Sequence, residues 1–253
     1  MIEHPRNPQP IAPEDHPTRL AEQPLTTCWR VRHQTLFLYE VDLDELSRHV
    51  PANLSVQEIR PGVGLFAVET LLYPPGHFGE TTDSFELVLA ILVEPDLRIA
   101  MPIPRFSLFV TSVISSSAAF VEHERVLLRT AMEHAPNLHM EFSDHGASVI
   151  VRDGDRPIVS CINTAGKPSS YTPRTQWGLI YTNKDNALHQ GAFRWVGEEF
   201  EHQKAGAQIS FHDHPVFRGL DLERIRRCYR QMAAAPDLPT KIGYYHLGPL
   251  EKR

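Results

Sequence analysis

The chain has 253 residues, 42% of them hydrophobic, which is enough to bury a substantial core, yet no window approaches the roughly 18 to 20 apolar residues that span a membrane. Its formal net charge of -6 comes with basic and acidic residues interspersed, so no segment concentrates Lys and Arg with aromatics as a nucleic-acid surface does, and neither nucleic acid nor a membrane is expected as a partner. Only Cys28, Cys161 and Cys228 are present, too far apart for a CxxC motif and odd in number for a disulfide framework; with no basic segment leading into an apolar one at the N-terminus, a soluble, cytoplasmic protein is expected.

Residues 1–24 are proline-rich and poor in apolar side chains, which predicts a mobile arm, with a single domain over 25–253. From Cys28 to Glu40 polar and apolar residues alternate, the period of a half-buried strand. Asp42 or Asp44 then caps a short helix whose stripe is Leu43, Leu46 and Val50 and whose stop is Pro51. Strands are expected over 54–59, 64–73 and 85–93, the last two separated by the turn-rich PPGHFGETTD; FELVLAILV is apolar on both faces and reads as a central strand.

A strand over 106–114 leads into a helix over 118–128 that places Phe120, Glu124 and Leu127 on one side. Short strands follow at 138–142, 147–152, 157–163, 179–182, 192–196 and 208–211. DLERIRRCYRQMAAA, with Asp221 as N-cap and Leu222, Ile225, Cys228, Tyr229 and Met232 at helical spacing, predicts a helix, and the C-terminal segment reads as a closing strand. The sum is an α+β domain around a curved, barrel-like antiparallel sheet with a few flanking helices.

The stretch LFLYEVDLDELSRHVPANLSV, followed by an apolar strand that opens with Glu86, resembles the acetoacetate decarboxylase superfamily, whose chemistry runs through a lysine Schiff base. The resemblance covers most of residues 33–142 and recurs weakly in AQISFHDHPVFRGL and the C-terminal strand. It implies a pocket with Tyr39 and Asp42 flanking a place where the family has an arginine and this chain has Glu40. It also implies two pocket glutamates on consecutive core strands, which fall on Glu69 and Glu86, spaced two residues wider than in the family. The segment that carries the family's lysines corresponds here to Arg129, Thr130 or Ala131. All five lysines, Lys167, Lys184, Lys204, Lys241 and Lys252, lie downstream. An arginine stays protonated and forms no imine with a ketone, so the pocket is expected without the Schiff-base decarboxylase chemistry.

Carboxyls among aliphatic residues have raised pKa values and serve as acid or base beside a carbonyl, which is the chemistry Glu69 and Glu86 offer; as ordinary strand ends they would be solvated or ion-paired. Arg129 is the candidate for holding an oxyanion, with Arg105, in PIPRF, as a second cation and Thr130 beside it in the same segment. His212 and His214, in FHDHP, share a strand face and suit a proton shuttle or substrate contact; with no third ligand at fixed spacing, no metal and no cofactor is expected.

These features lead to an enzyme on a small or medium-sized apolar carbonyl compound, working by non-covalent acid–base catalysis: enolisation with dehydration, aldol-type cleavage or cyclisation, a lyase or cyclase of secondary metabolism. Glu86 is the expected base, Glu69 its proton-transfer partner, and Tyr39, Glu40, Arg105, Thr130, His212 and His214 the expected substrate contacts. A non-catalytic small-molecule binder, or a hydrolase using a metal at His212 and His214, are the alternatives. A homo-oligomer, dimer or larger, is expected from the superfamily and from the apolar face of the helix predicted after Asp221.

Overall fold

A computed structural model describes residues 25–95, 104–127, 129–164, 170–203, 207–236, 238 and 240–250. The proposed arm, 1–24, lies outside the described residues. In chain order the strands and helices are β1 (Thr27–Val31), β2 (His33–Asp42), α1 (Leu43–Ser47), β3 (Val63–Tyr73), β4 (Ser84–Leu92), β5 (Phe106–Ser115), α2 (Ala118–Leu127) and β6 (Met132–His134). They continue as β7 (Leu138–Phe142), β8 (Val149–Asp153), β9 (Arg156–Asn163), β10 (Thr172–Lys184), β11 (Ala187–Gln203), β12 (Ala207–Phe211), β13 (Cys228–Ala234) and β14 (Thr240–Pro249).

Seven strands close a barrel. The ring runs β11, β10, β5, β4, β3, β2, β13 and back to β11. The apolar strand expected to be central is β4, hydrogen-bonded on both sides, by β3 and by β5. Every neighbour in the ring is antiparallel except β10 and β5, which run parallel from Gly178 opposite Phe106 to Tyr181 opposite Phe109, so the barrel is mixed rather than purely antiparallel. β11 is long enough to serve two neighbours on one edge, β14 along His189–Val196 and β13 along Glu199–Gln203. A separate antiparallel sheet, in the order β12, β9, β8, β7, packs on the outer face of β2, β3 and β4 through Phe37, Tyr39, Phe66, Leu87 and Leu89 on the barrel side.

Alternation along each strand decides what faces inward. One end of the interior is filled by Leu36, Leu38, Leu65, Ala67, Leu92 and Phe106. The other is filled by Trp29, Leu71, Tyr73, Val113, Trp195 and Tyr244, roofed by Phe120 of α2. Between them β10 contributes Gly178, directly opposite Phe193 of β11; a Cβ at 178 would lie 2.2 Å from that ring, so the glycine is what lets the phenylalanine lie flat against the wall.

The segment after Asp221 corrects the sequence reading. Asp221 does cap, its Oδ1 accepting from the Glu223 backbone N–H at 3.2 Å, but it opens a single 3-10 turn, Leu222–Arg224. Extended chain then begins at Cys228 as β13, because closing the ring requires a strand between β2 and β11, and that pairing outweighs the local helical pattern. Leu222 and Ile225 pack against the chain's own core, and Tyr229 against the lower interior, so they present no helical face for a partner. The strand expected over 54–59 is likewise absent, reduced to one bridge between Val56 and Val93, while β10 and β11 extend well beyond the short runs predicted for them. Cys28, Cys161 and Cys228 are all free thiols. No helix among the described residues is long and apolar enough to cross a membrane.

Candidate active site

Between the two packed ends of the barrel lies a cavity of about 90 Å³. Three carboxyls line it: Glu69 from β3, Glu86 from β4 and Glu124 from α2. The register explains the first two. Glu69 is opposite Val88 and Leu71 is opposite Glu86, so the carboxylates are diagonal neighbours on one face, roughly 7–8 Å apart at the backbone. Around them stand Trp29, Tyr73, Phe120, Phe193 and Trp195 with Val88, Val110, Val113 and Ile180. A smaller space of about 50 Å³, lined by Leu36, Gln176 and Glu199 among others, shares the walls Gln34, Glu69, Leu108, Phe193 and Trp195 with it. Among the described residues no lysine or arginine lines either space.

Each carboxyl has a defined partner. Trp195 donates its indole N–H to Gln34 Oε1 (2.7 Å), which fixes the amide so that Gln34 Nε2 donates to Glu69 Oε1 (2.5 Å). The Tyr73 hydroxyl donates to Glu86 Oε2. His123 Nδ1 lies 2.9 Å from Glu124 Oε1. His77 stacks on Tyr73, ring centres 4.1 Å apart, and burial pushes its pKa down to about 4, so the ring behind Tyr73 is neutral.

Desolvation sets the charge state. Burial pushes Glu69 up to about 7, against the opposing pull of the Gln34 hydrogen bond. Glu69 is half-buried, and it lines both the cavity and the smaller space beside it. Burial drives Glu86 well above the usual carboxylate range; the Tyr73 bond lowers it, and the nearby charges of Glu124 and Glu69 raise it further. Glu124 is also raised, by burial, with His123 acting in the other direction. At neutral pH the site therefore holds a protonated Glu86 beside a Glu69 poised near its midpoint, the separation of two carboxyls that suits one as acid and the other as base.

No family model matches the chain, and no curated protein matches its sequence. Solved structures do match. The acetoacetate decarboxylase of Legionella pneumophila superposes with a TM-score of 0.61 over 90% of this chain and 88% of its own, at 13% identity. The fold is that of acetoacetate decarboxylase. The enduracididine biosynthesis enzyme MppR, complexed with pyruvate, superposes with a TM-score of 0.56 over 90% of this chain and 91% of its own at 11% identity. An acetoacetate decarboxylase-like enzyme from Sphingomonas wittichii does so at 0.51, covering 88% and 92%, with 12% identity.

Within this decarboxylase-like barrel the sequence candidates separate into groups. Glu69, Glu86 and Thr130 line one cavity. Arg129, one residue from Thr130, is exposed, in a left-handed conformation (φ 53°), and its charge acts on His189 and His246 rather than on the cavity. Tyr39 points to the opposite face of β2, into the core shared with the second sheet near Cys161 and Cys228. Glu40 is buried at the other end of β2 in ion pairs with Arg60 (2.6 Å) and Arg227 (3.0 Å). Arg105 does not line the smaller space but touches its walls, bonding Glu199 at 2.5 Å, which Gln176 also bonds at 2.6 Å, and lying over the Phe106 ring.

His212 is exposed just beyond β12, and His214 caps the next 3-10 turn by accepting from the Val216 N–H. No group of three or more metal-ligating side chains occurs among the described residues. Lys184 donates to the Arg125 carbonyl and Lys241 is exposed; Lys167, Lys204 and Lys252 lie outside the described residues. Gln34, Tyr73, Glu124 and the two tryptophans are the lining residues that sequence reasoning passed over. Gln34 was findable, because it lies two residues before Leu36, which is paired with Glu69, and therefore shares its face.

Proposed function

We propose that this chain is an enzyme acting on a small or medium-sized, largely apolar carbonyl compound by non-covalent acid–base catalysis. The observation that carries the proposal is the pair Glu69 and Glu86 in one cavity, both carboxyls raised by burial and held by different partners, with no lining lysine or arginine among the described residues. Burial and hydrogen bonding reverse the roles expected from sequence. Glu69, near 7, is the better base at physiological pH, and protonated Glu86, held by Tyr73, is the acid.

In the first step the bond from the α-carbon to hydrogen breaks and the proton passes to Glu69. The electron pair moves onto the carbonyl oxygen, which takes a proton from Glu86, leaving a neutral enol and one carboxylate in the site. As the enol collapses, its hydroxyl proton returns to Glu86. Glu69 gives its proton either to a β-hydroxyl that leaves as water, which is dehydration, or to the oxygen of a second carbonyl that the enol carbon attacks, which is aldol-type cyclisation. In aldol-type cleavage Glu69 instead takes the proton of a β-hydroxyl and the Cα–Cβ bond breaks onto the carbonyl oxygen protonated by Glu86. Glu69 then protonates the α-carbon as Glu86 regains the enol proton. The aromatic and aliphatic walls, with no lysine or arginine lining them among the described residues, favour a substrate whose reacting end carries no charge. That the neighbours of this fold include decarboxylases and an enzyme that binds pyruvate supports catalysis in such a barrel.

The test is α-proton exchange. In D2O buffer, pentan-2-one and related ketones should lose their α-proton NMR signals faster with wild-type protein than with buffer, and not with Glu69→Gln. Calorimetric binding of the ketones without exchange would identify a non-catalytic binder; exchange retained in Glu69→Gln would overturn the assignment of the base.

A further inference from the structure

The barrel has a seam. β10 pairs with β5 only as far as Tyr181 opposite Phe109, although β10 continues to Lys184 and β5 to Ser115. Just past that point β5 bulges: Ser112 is opposite Leu89 and Val110 opposite Ala90, so Thr111 is an extra residue, tied back by its hydroxyl to the Leu89 carbonyl at 3.0 Å. A bulge that ends pairing beside a functional cavity is a common way of opening a sheet. β6 resumes pairing on β5 only at Val113, opposite Met132. The gap is a cleft of about 240 Å³, larger than the inner cavity.

Cleft and cavity have walls in common. Val110, Val113 and Thr130 line both. The chemistry changes across that partition: inside are carboxyls and rings, outside are Thr111, Ser112, Thr182 and Asn183, with His49 and Arg218. Among the described residues no carboxylate lines the cleft. His49 is occupied by Glu45 at 3.2 Å, whereas the Arg218 guanidinium makes no hydrogen bond or ion pair among the described residues.

From this arrangement we infer that the seam between β5 and β10 is the second half of the binding site. It holds the anionic head group of an elongated substrate on Arg218 while the apolar carbonyl end passes the Val110–Val113–Thr130 neck into the cavity. This rests on the reading of the cavity as the reaction chamber, and it adds the substrate's shape and charge. An unpaired guanidinium beside hydroxyls and an amide binds a carboxylate, sulfonate or phosphate, while the inner chamber, with three carboxyls and, among the described residues, no lining cation, rejects one. The substrate therefore enters with one orientation only.

Binding of octanoate and of octan-1-ol, measured by calorimetry on the full chain, separates the parts. Octanoate should bind more tightly, and Arg218→Gln should weaken octanoate by about 10- to 100-fold, the loss of a charge-assisted hydrogen bond, while leaving octan-1-ol within a few-fold. Asn183→Trp, at an exposed position on the cleft wall, should weaken both ligands by filling the cleft. Val110→Trp should do the same at the neck, and far-UV circular dichroism and melting curves show whether each variant is folded. Octanoate binding indifferent to Arg218→Gln would overturn the head-group site, and binding indifferent to a folded Asn183→Trp would overturn the seam. None of these readouts depends on turnover, so a chain that exchanges no α-protons yet shows this binding pattern would refute the proposed chemistry and leave the seam standing.

Discussion

Replacing Glu69 by glutamine should make the protein more stable at neutral pH, and the size of the gain follows from its pKa. Burial raises that carboxyl from 4.5 in the unfolded chain to about 7 in the folded one. Below pH 4.5 both states are protonated and the carboxyl costs nothing. As the pH rises from 4.5 to 7, the unfolded chain has released its proton while the folded chain still holds it, so stability falls; above 7 both are ionised and the penalty is constant. At 1.36 kcal/mol per unit, the full penalty is about 3 kcal/mol. Glutamine has no proton to lose, and its amide oxygen still accepts from Gln34 Nε2. Urea unfolding of both proteins at intervals from pH 4 to pH 8 should show the stability difference, variant minus wild type, rising through this window and levelling off above 7, while α-proton exchange is lost. A difference that stays flat across the range would mean that Glu69 titrates as an ordinary carboxyl and would remove it as a base tuned to neutral pH. A gain in stability bought at the expense of turnover is the expected trade-off for a charged group kept in an apolar chamber.

Glu86→Gln keeps volume and accepts from Tyr73 but cannot donate the same proton, so exchange should fall by about 10² to 10⁴ in a protein that melts normally; unchanged exchange would exclude Glu86 from the mechanism. Tyr73→Phe removes the hydrogen bond that lowers the Glu86 pKa, so the limb of the pH profile reporting Glu86 should move to higher pH, as measured by exchange rates across pH 5 to 10; an unmoved profile would refute that coupling. Acetoacetate with borohydride should leave no covalent adduct by mass spectrometry, and an adduct mapped to Lys184, Lys241 or any other lysine would establish a relocated Schiff base.

The central pair was legible through the family resemblance and its apolar strand context. Glu69 and Glu86 sit in runs whose apolar residues already mark two adjacent strands, and a resemblance in the surrounding residues singled them out. Arg129 and Thr130 show where such reading ends. They are consecutive, and which one enters the cavity depends on the turn that leaves α2, where a left-handed Arg129 sends its side chain outward and Thr130 inward. Tyr39 and Glu40 fail for long-range reasons too: Tyr39 faces the second sheet, and Glu40, on the inward parity of β2 with Leu36 and Leu38, lies at the far end of the strand in ion pairs with Arg60 and Arg227. Glu124 was visible beside Phe120 on the helix face, but that this face roofs a barrel is a long-range fact. The misread helix after Asp221 has the same origin: CYRQMAA has no clean period of two, its register on β2 slips between Cys228 and Arg230, and only closure of the ring between β2 and β11 makes it a strand.

The bare backbone at Gly178 sets the dimensions of the chamber. Phe193 rests on it and walls both the main cavity and its smaller neighbour. Any side chain at 178 must push that ring off its seat, so a single methyl group on the barrel wall would redraw the space offered to a ligand while leaving every carboxyl in place. Position 178 is therefore a dial for substrate size that is separate from the acid–base machinery, and one through which descendants of this barrel could change what they accept without relearning how to react with it.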